Sequence, residues 1–475
     1  MKKNTTRFYK IDLKNHPSAY ELQELIKEFL RPSDFYILNG QFANRESSED
    51  GPENSEMVLL EIPDREMGRD DAKRYLFNLL RDLTGYAPKW GTLTGVRPAK
   101  LVNEQMYLKG KSEEEVRALF RDSYYVSEEK IDLVMETCRV QSPVTAEPAG
   151  NTVGVYIGIP FCPTRCLYCS FTSNQKDYSE VKRYLAALHR EIDAVGTRLT
   201  GLGVLPESIY FGGGTPTTPE APDLDALLAR TESRFDLSGL KEYCVEAGRP
   251  DTITADRLRV LRKHPVTRIS INPQSMNDET LERIGRTHRS ADIREAFALT
   301  KREAPDLLVN SDIIAGLPGE DRAMFRQTLE SLLELGPDNI TVHTLAVKRA
   351  SRLREMDAEY NYGRTDEVGL MVGDARRMLA EAGYRPYYMY RQKHMTGNYE
   401  NVSYAKPGTE SIYNIRIMDE HQTIAALGAG GISKAYHGAE NRLVRVPNVS
   451  NYDIYIQRIG EMIERKEQKL YVPFE

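Results

Sequence analysis

Cysteine is scarce in this 475-residue chain, and its count is odd: Cys138, Cys162, Cys166, Cys169 and Cys244. An odd number in a large chain without an export signal argues against a disulfide framework. Long apolar runs are also missing, so no membrane insertion is expected. The opening Met1-Lys2-Lys3-Asn4-Thr5-Thr6-Arg7 leads into mixed polar sequence, not the apolar stretch of a signal peptide. A cytoplasmic location is the default expectation. There is no basic excess, since 64 Lys and Arg stand against 70 Asp and Glu, a net charge of −6. That removes the electrostatic footprint of a nucleic-acid binder, and no nucleic-acid partner is expected. No period of roughly 20–50 residues recurs, which excludes a solenoid.

What is present divides into three stretches, as expected for a chain too long for one ordinary domain. Residues 1–148 read as an α/β region with β-type runs at Phe8–Leu13, Phe35–Leu38 and Met57–Ile62. Helical patterns fall at Tyr20–Leu30, Asp71–Leu83, Ser112–Phe120 and Glu128–Cys138, and Asn44–Ser55 reads as a loop. No catalytic constellation stands out there, so its role is left open. Ser142–Asn151, with its prolines and small residues, reads as a linker. In 149–383, β-branched strands alternate with amphipathic helices. The strands are Gly154–Pro160, Glu207–Phe211, Glu242–Ala247, Thr267–Ile271, Leu307–Ile314 and Ile340–Leu345. This repetition predicts a parallel sheet, either doubly wound or a full or partial β/α barrel, with ligands at the carboxyl ends of the strands. Residues 384–475 read as a small C-terminal accessory region closing one side.

Three of the cysteines lie within eight residues, in Tyr156-Ile157-Gly158-Ile159-Pro160-Phe161-Cys162-Pro163-Thr164-Arg165-Cys166-Leu167-Tyr168-Cys169. This is a strand followed by a loop with C-x3-C-x2-C spacing. Thiolates are soft ligands suited to zinc or iron–sulfur clusters. Structural zinc wants four ligands, and three are offered. Three thiolates on a cubane leave one iron open for another ligand. Reading the thiols as small core residues suits Cys138, at a helix end, and Cys244, in a strand. It does not suit three thiols in one proline-flanked loop.

This loop resembles that of the radical S-adenosylmethionine superfamily. Tyr156-x-x-Ile159-Pro160-Phe161-Cys162 with Tyr168-Cys169-x-Phe171 is more narrowly similar to the oxygen-independent coproporphyrinogen III oxidase family, in its HemZ-like branch. The similarity runs from about Thr152 to Lys434, with a fainter echo at Gly91–Pro98. The resemblance implies a partial (β/α)6 radical-SAM barrel within an α/β chain. It also implies a [4Fe-4S] cluster on Cys162, Cys166 and Cys169, and one or two molecules of S-adenosyl-L-methionine.

The residues implied to hold that cofactor are Tyr156, Tyr168, Gly213, Gly214 and Thr215, followed by Glu246, Gln274, Arg286, Asp312 and Val342. Tyr156 is also the expected catalytic residue. Read alone, several have plainer explanations: a glycine turn, a surface Arg, a helix-capping Asp, and Val342 as core. His288 and His343 read as structural. The reaction implied is cofactor cleavage to a 5′-deoxyadenosyl radical, followed by oxidative decarboxylation of coproporphyrinogen III propionates to vinyl groups, giving protoporphyrinogen IX. The implied partners are a porphyrinogen or haem small molecule and an unidentified electron donor. Arg165, Arg391 and Lys393 are candidate cations for substrate carboxylates on charge alone.

The chain departs from the oxidase pattern at Gly158, where a His is usual, and at Phe171, where a fourth Cys is usual. Cys-x-Phe is also the pattern of a haem-chaperone branch, whose tail motif His-Asn-x-x-Tyr-Trp corresponds here to Glu400-Asn401-Val402-Ser403-Tyr404-Ala405, without the His or the Trp. An oxidative decarboxylase and a haem-transfer protein are therefore both carried forward, with the missing His favouring the enzyme. Chain purified without oxygen is expected to hold about four iron and about four sulfide. Joint replacement of Cys162, Cys166 and Cys169 by Ser should abolish both in a metal and sulfide assay, and undiminished iron in that variant would refute the cluster.

Overall fold

The computed structural model describes residues 7–38, 51–52, 55–95, 97–146, 149–169, 173–346, 364–391 and 398–475. Its chain divides into two compact units, Met1–Met135 and Glu136–Glu475.

The first unit pairs β1 (Arg7–Asp12) with β2 (Phe35–Leu38) and β3 (Glu56–Glu61), both in parallel, in the order β2-β1-β3. Parallel neighbours need crossovers. One contains α1 (Ala19–Ile26), and α2 (Arg69–Thr84) follows β3. Ile11, Leu22, Leu25, Phe35, Leu76 and Leu80 form part of their common core. Short α3 (Pro98–Asn103) and α4 (Glu113–Ala118) follow. The latter starts on a capping box, in which Ser112 and Glu115 satisfy each other's backbone N–H groups. Of the loop expected at Asn44–Ser55, residues 44–50 and 53–54 lie outside the described residues.

The units meet inside α5 (Glu128–Thr145), so the division falls earlier than residue 148. Four of the ten residues of the expected linker, Ser142–Thr145, are helical. Pro143 cannot donate to the Arg139 carbonyl four residues back, and the Ser142 hydroxyl donates to it instead at 2.9 Å.

The second unit contains an 11-stranded sheet. Its centre is the predicted alternation: β4 (Thr152–Ile159), α6 (Tyr178–Gly201), β5 (Leu205–Gly213), α7 (Ala221–Arg234), β6 (Glu242–Gly248), α8 (Ala255–Lys263) and β7 (Arg268–Ile271). It continues through α9 (Asp278–Arg283), α10 (Ser290–Glu303), β8 (Leu308–Ala315), α11 (Arg322–Leu335), β9 (Asn339–Thr344) and α12 (Thr365–Glu381). β4 to β9 are adjacent in sequence order and parallel. Period-2 alternation does the sorting. Val153, Val155, Ile157 and Ile159 of β4 are fully buried, while Tyr156 between them faces a cavity.

The tail is not a separate appendage. It supplies β10 (Arg385–Tyr390) and β11 (Asn401–Ala405), antiparallel beyond β9. After α13 (Ile412–Asp419) it returns to the opposite edge as β12 (Thr423–Leu427), parallel to β4, then β13 (Ile432–His437) and β14 (Arg442–Pro447). Both edges of the parallel core are thereby paired, which satisfies the N–H and C=O groups an edge strand leaves open. The chain closes with α14 (Tyr452–Gln457) and α15 (Ile459–Lys469).

Buried charge fastens this tail. Lys466 of α15 and Glu191 of α6 are both fully buried and 2.7 Å apart. Burial alone would raise the Glu191 pKa. The Lys466 ammonium, the Tyr455 hydroxyl and the Gly428 N–H together hold it below its ordinary value. Removing one partner of such a pair strands the other charge. Lys466→Met is expected to destabilise the second unit by about 3–5 kcal/mol in denaturant titration, and an unchanged midpoint would contradict this account.

Candidate functional site

The carboxyl ends of β4 to β9 open onto a cavity of about 540 Å3. Its first wall is the loop after β4, with Cys162, Cys166 and Cys169. Backbone bonds pin this loop: Cys162 N–H donates to Asn174 O at 3.1 Å, and Leu167 N–H to Ile284 O at 3.0 Å. Among the described residues, no three or more His, Cys, Asp or Glu side chains converge as ligands of one ion. The three thiols instead share a wall.

The second wall is the glycine turn ending β5. Gly213 has φ +109°, where an L side chain is strained. A Cβ on Gly214 would lie 2.5 Å from the Phe161 carbonyl oxygen. This close approach lets Gly214 N–H donate to Ile159 O and Thr215 N–H to Phe161 O, both at 2.8 Å. Thr215 Oγ1 then reaches Cys162 Sγ at 3.4 Å.

From β6 comes Glu246, half-buried on the cavity. Burial pushes its pKa up to about 7, a rise to which nearby Asp312 adds and which the Tyr210 hydroxyl, donating to Oε1, opposes. Beyond β7, Gln274 adopts φ +68°, unusual for a residue with a side chain. A bridge to β8 holds it there: its N–H donates to Asp312 O at 2.9 Å, and its carbonyl accepts from Ile314 N–H at 3.0 Å. Arg286 donates from Nη1 to Asn272 O at 2.9 Å and from Nη2 to Tyr168 Oη at 3.0 Å. Its Nε is buried without a protein partner, as are Ser270 Oγ and Asn272 Oδ1 on the same cavity. Burial pushes the phenols of Tyr156 and Tyr168 still further above their ordinary range.

A barrel acid positions the far wall. Glu242 at the start of β6 accepts from Ser411 Oγ at 2.9 Å and from the N–H groups of Ile412 and Tyr413 at 2.9 and 3.2 Å. It thereby caps α13, which lines the cavity with Tyr413, Asn414, Ile417 and Met418. Tyr413 stacks on Tyr210 with centroids 4.5 Å apart, and Tyr388 and Tyr390 extend this aromatic side.

The residue model of the radical SAM superfamily matches positions 156–332. The oxygen-independent coproporphyrinogen-III oxidase-like protein HemZ of Bacillus subtilis is 41% identical over 405 residues, covering 84% of this chain and 80% of that protein. The chain belongs to the radical SAM superfamily. Within it, the chain belongs with HemZ-like proteins. The haem chaperone HemW of the same organism is 29% identical over 64% of this chain and 76% of its own. Among solved structures, coproporphyrinogen III oxidase HemN of Escherichia coli matches with TM-score 0.55 at 22% identity, over 69% of this chain and 73% of that one, which supports the shared fold.

Radical SAM proteins use a 4Fe-4S cluster and S-adenosylmethionine. The donor set fits both: soft thiols on one wall, with unpartnered buried donors and acceptors beside them. Twelve of the thirteen residues expected at the site line this cavity. Val342 does not. Strand alternation turns Thr341 and His343 inward and leaves Val342 in the core, 2% exposed. Neither Arg165 nor Arg391 lines the cavity, and Lys393 and Phe171 lie outside the described residues. The sequence reading missed Arg249, Tyr210, Tyr413 and His343. The first two sit beside chosen residues at strand ends, a usable signal. Tyr413 had none, since only the tail's return brings it here. His343 lies 3.5 Å from Asp312.

A ligand amine or hydroxyl binds a carboxylate more tightly than a neutral acid. Affinity for S-adenosylmethionine is therefore expected to rise from pH 6 to pH 8 as Glu246 loses its proton, by up to about tenfold per pH unit below its pKa. Calorimetry on Glu246→Gln should show a flat, weaker profile, and a wild-type slope retained in that variant would assign the titration elsewhere.

Proposed function

We propose that this chain oxidatively decarboxylates the propionate arms of coproporphyrinogen III to vinyl groups. The observation that carries the reading is one cavity lined both by the thiol loop and by a stack of tyrosines. The 41% identity to a coproporphyrinogen oxidase-like protein supports it. In this reading Cys162, Cys166 and Cys169 would hold the cluster. Arg286 pairs with the cofactor carboxylate. Glu246 and Asp312 accept hydrogen bonds from its amine or hydroxyls, and the Gly213–Gly214 backbone and Gln274 complete its seat. Cluster and S-adenosylmethionine together supply hydrogen-atom abstraction from carbon. Tyr156, kept protonated by burial, acts as a donor that orients a ligand and excludes water, not as a base. Each propionate loses one hydrogen atom, carbon dioxide and one electron. An external donor and an acceptor handle the electrons, in the cytoplasm.

The alternative, haem transfer, is favoured by the Cys169-Ser170-Phe171 pattern and the similarity to HemW. Against it, the stretch corresponding to the chaperone motif forms interior strand β11. Asn401 Oδ1 there accepts from Thr344 N–H at 2.7 Å, and Glu400 O accepts from Thr344 Oγ1 at 2.9 Å, which is a bracing role.

Reconstituted chain, incubated without oxygen with dithionite, S-adenosylmethionine and coproporphyrinogen III, should yield 5′-deoxyadenosine and protoporphyrinogen IX by chromatography. Cofactor cleavage without porphyrin product would reject the substrate. Stoichiometric haem retention with no turnover would establish the transfer role.

A further inference from the structure

Beyond Glu246, the backbone of β6 turns at Gly248, which has φ +59°, and sends Arg249 back toward the cysteine loop. The guanidinium is buried, 5% exposed, and every direction it faces is accounted for. Nε and Nη2 donate to the Asp251 carboxylate, with Nη2 at 3.0 Å from Oδ2. Nη2 also donates to Thr287 Oγ1 at 3.1 Å. Nη1 points into the loop, at 3.5 Å from the Thr164 carbonyl and 4.0 Å from Cys166 Sγ. A permanent positive charge thus lies against one thiol, on a cavity wall shared with all three. Burying a guanidinium is costly unless its partners are fixed. Asp251 and Thr287 fix it, yet leave the Nη1 edge for the sulfur.

We propose that Arg249 is a positioning residue that sets the reduction potential of the cluster, an inference resting on the reading that Cys166 is a cluster ligand. Hydrogen bonds to cluster sulfurs and nearby net charge are among the determinants of that potential, and groups behind the ligands tune a metal site without touching it. A fixed cation beside Cys166 stabilises the more negative, reduced cluster. Asp251 partly offsets this field. The two residues therefore work in opposite directions, and Thr215, donating to Cys162 Sγ, adds a neutral contribution on another corner.

The test is a redox titration followed by electron paramagnetic resonance on full-length chain reconstituted without oxygen, with iron and sulfide counted in each sample. Arg249→Gln should shift the midpoint to more negative values at unchanged iron content, and Arg249→Lys should recover part of the shift. Asp251→Asn, which unmasks the guanidinium, should shift it to more positive values. If Arg249→Gln loses its iron, the Asp251→Asn titration decides alone. Midpoints equal to wild type in iron-replete variants would overturn the role of Arg249 while leaving the cluster in place. A wild-type chain without iron would overturn the cluster reading and this inference with it.

Discussion

The close approach between the ends of β4 and β5 governs the site. Gly214 lies against Phe161 with no room for a side chain, Gly213 beside it packs tightly on Ile159 at φ +109°, and two short backbone bonds lock the turn there. That contact brings Thr215 to Cys162 and holds the start of the cysteine loop over the strand ends. A methyl group at position 214 would drive the two loops apart and misalign everything they carry. The parallel pairing of β4 through β9, with register shifts in the β4–β5 and β6–β7 ladders, then lets each strand deliver inward side chains to the same rim.

The chemistry of that rim comes from burial more than from charge. Glu246 sits where an ionised carboxylate is disfavoured, beside a phenol that donates to it. The two cavity arginines, Arg249 and Arg286, are each anchored by neighbours at the thiol side. Tyrosines and amides on elements of the tail line the same cavity, with Tyr413 stacked on Tyr156 and Tyr210. The cavity thus offers ionic partners for a charged cofactor together with a surface suited to a flat or aromatic group.

Most of the central architecture was legible because its signals are local. β-branched runs alternating with amphipathic helices give β4 to β9, and the thiol spacing marks the loop. Glu246, Gln274 and Asp312 were marked by the family resemblance, and all three line the cavity. Val342 shows the limit of transferring a position without its facing: one step along a strand turns a side chain from cavity to core. The tail was illegible for a different reason. β11 pairs with β9 and β10 with β11, while β12 pairs with β4, and no short-range pattern says which edge a strand will join. Arg249 lies three residues past Glu246, but only the reversal at Gly248 brings it to the thiols.

The pairing of β12 with β4 has a bearing on biogenesis. Gln422 donates to Thr152 across 270 residues of chain, so a nascent polypeptide leaves β4 with a single sheet neighbour until β12 has been made and folds back. Long-range closure of this kind is slow. The thiol-bearing strand is framed on both sides only once β12 has folded back onto it, so the loop it carries gains its full support late in folding.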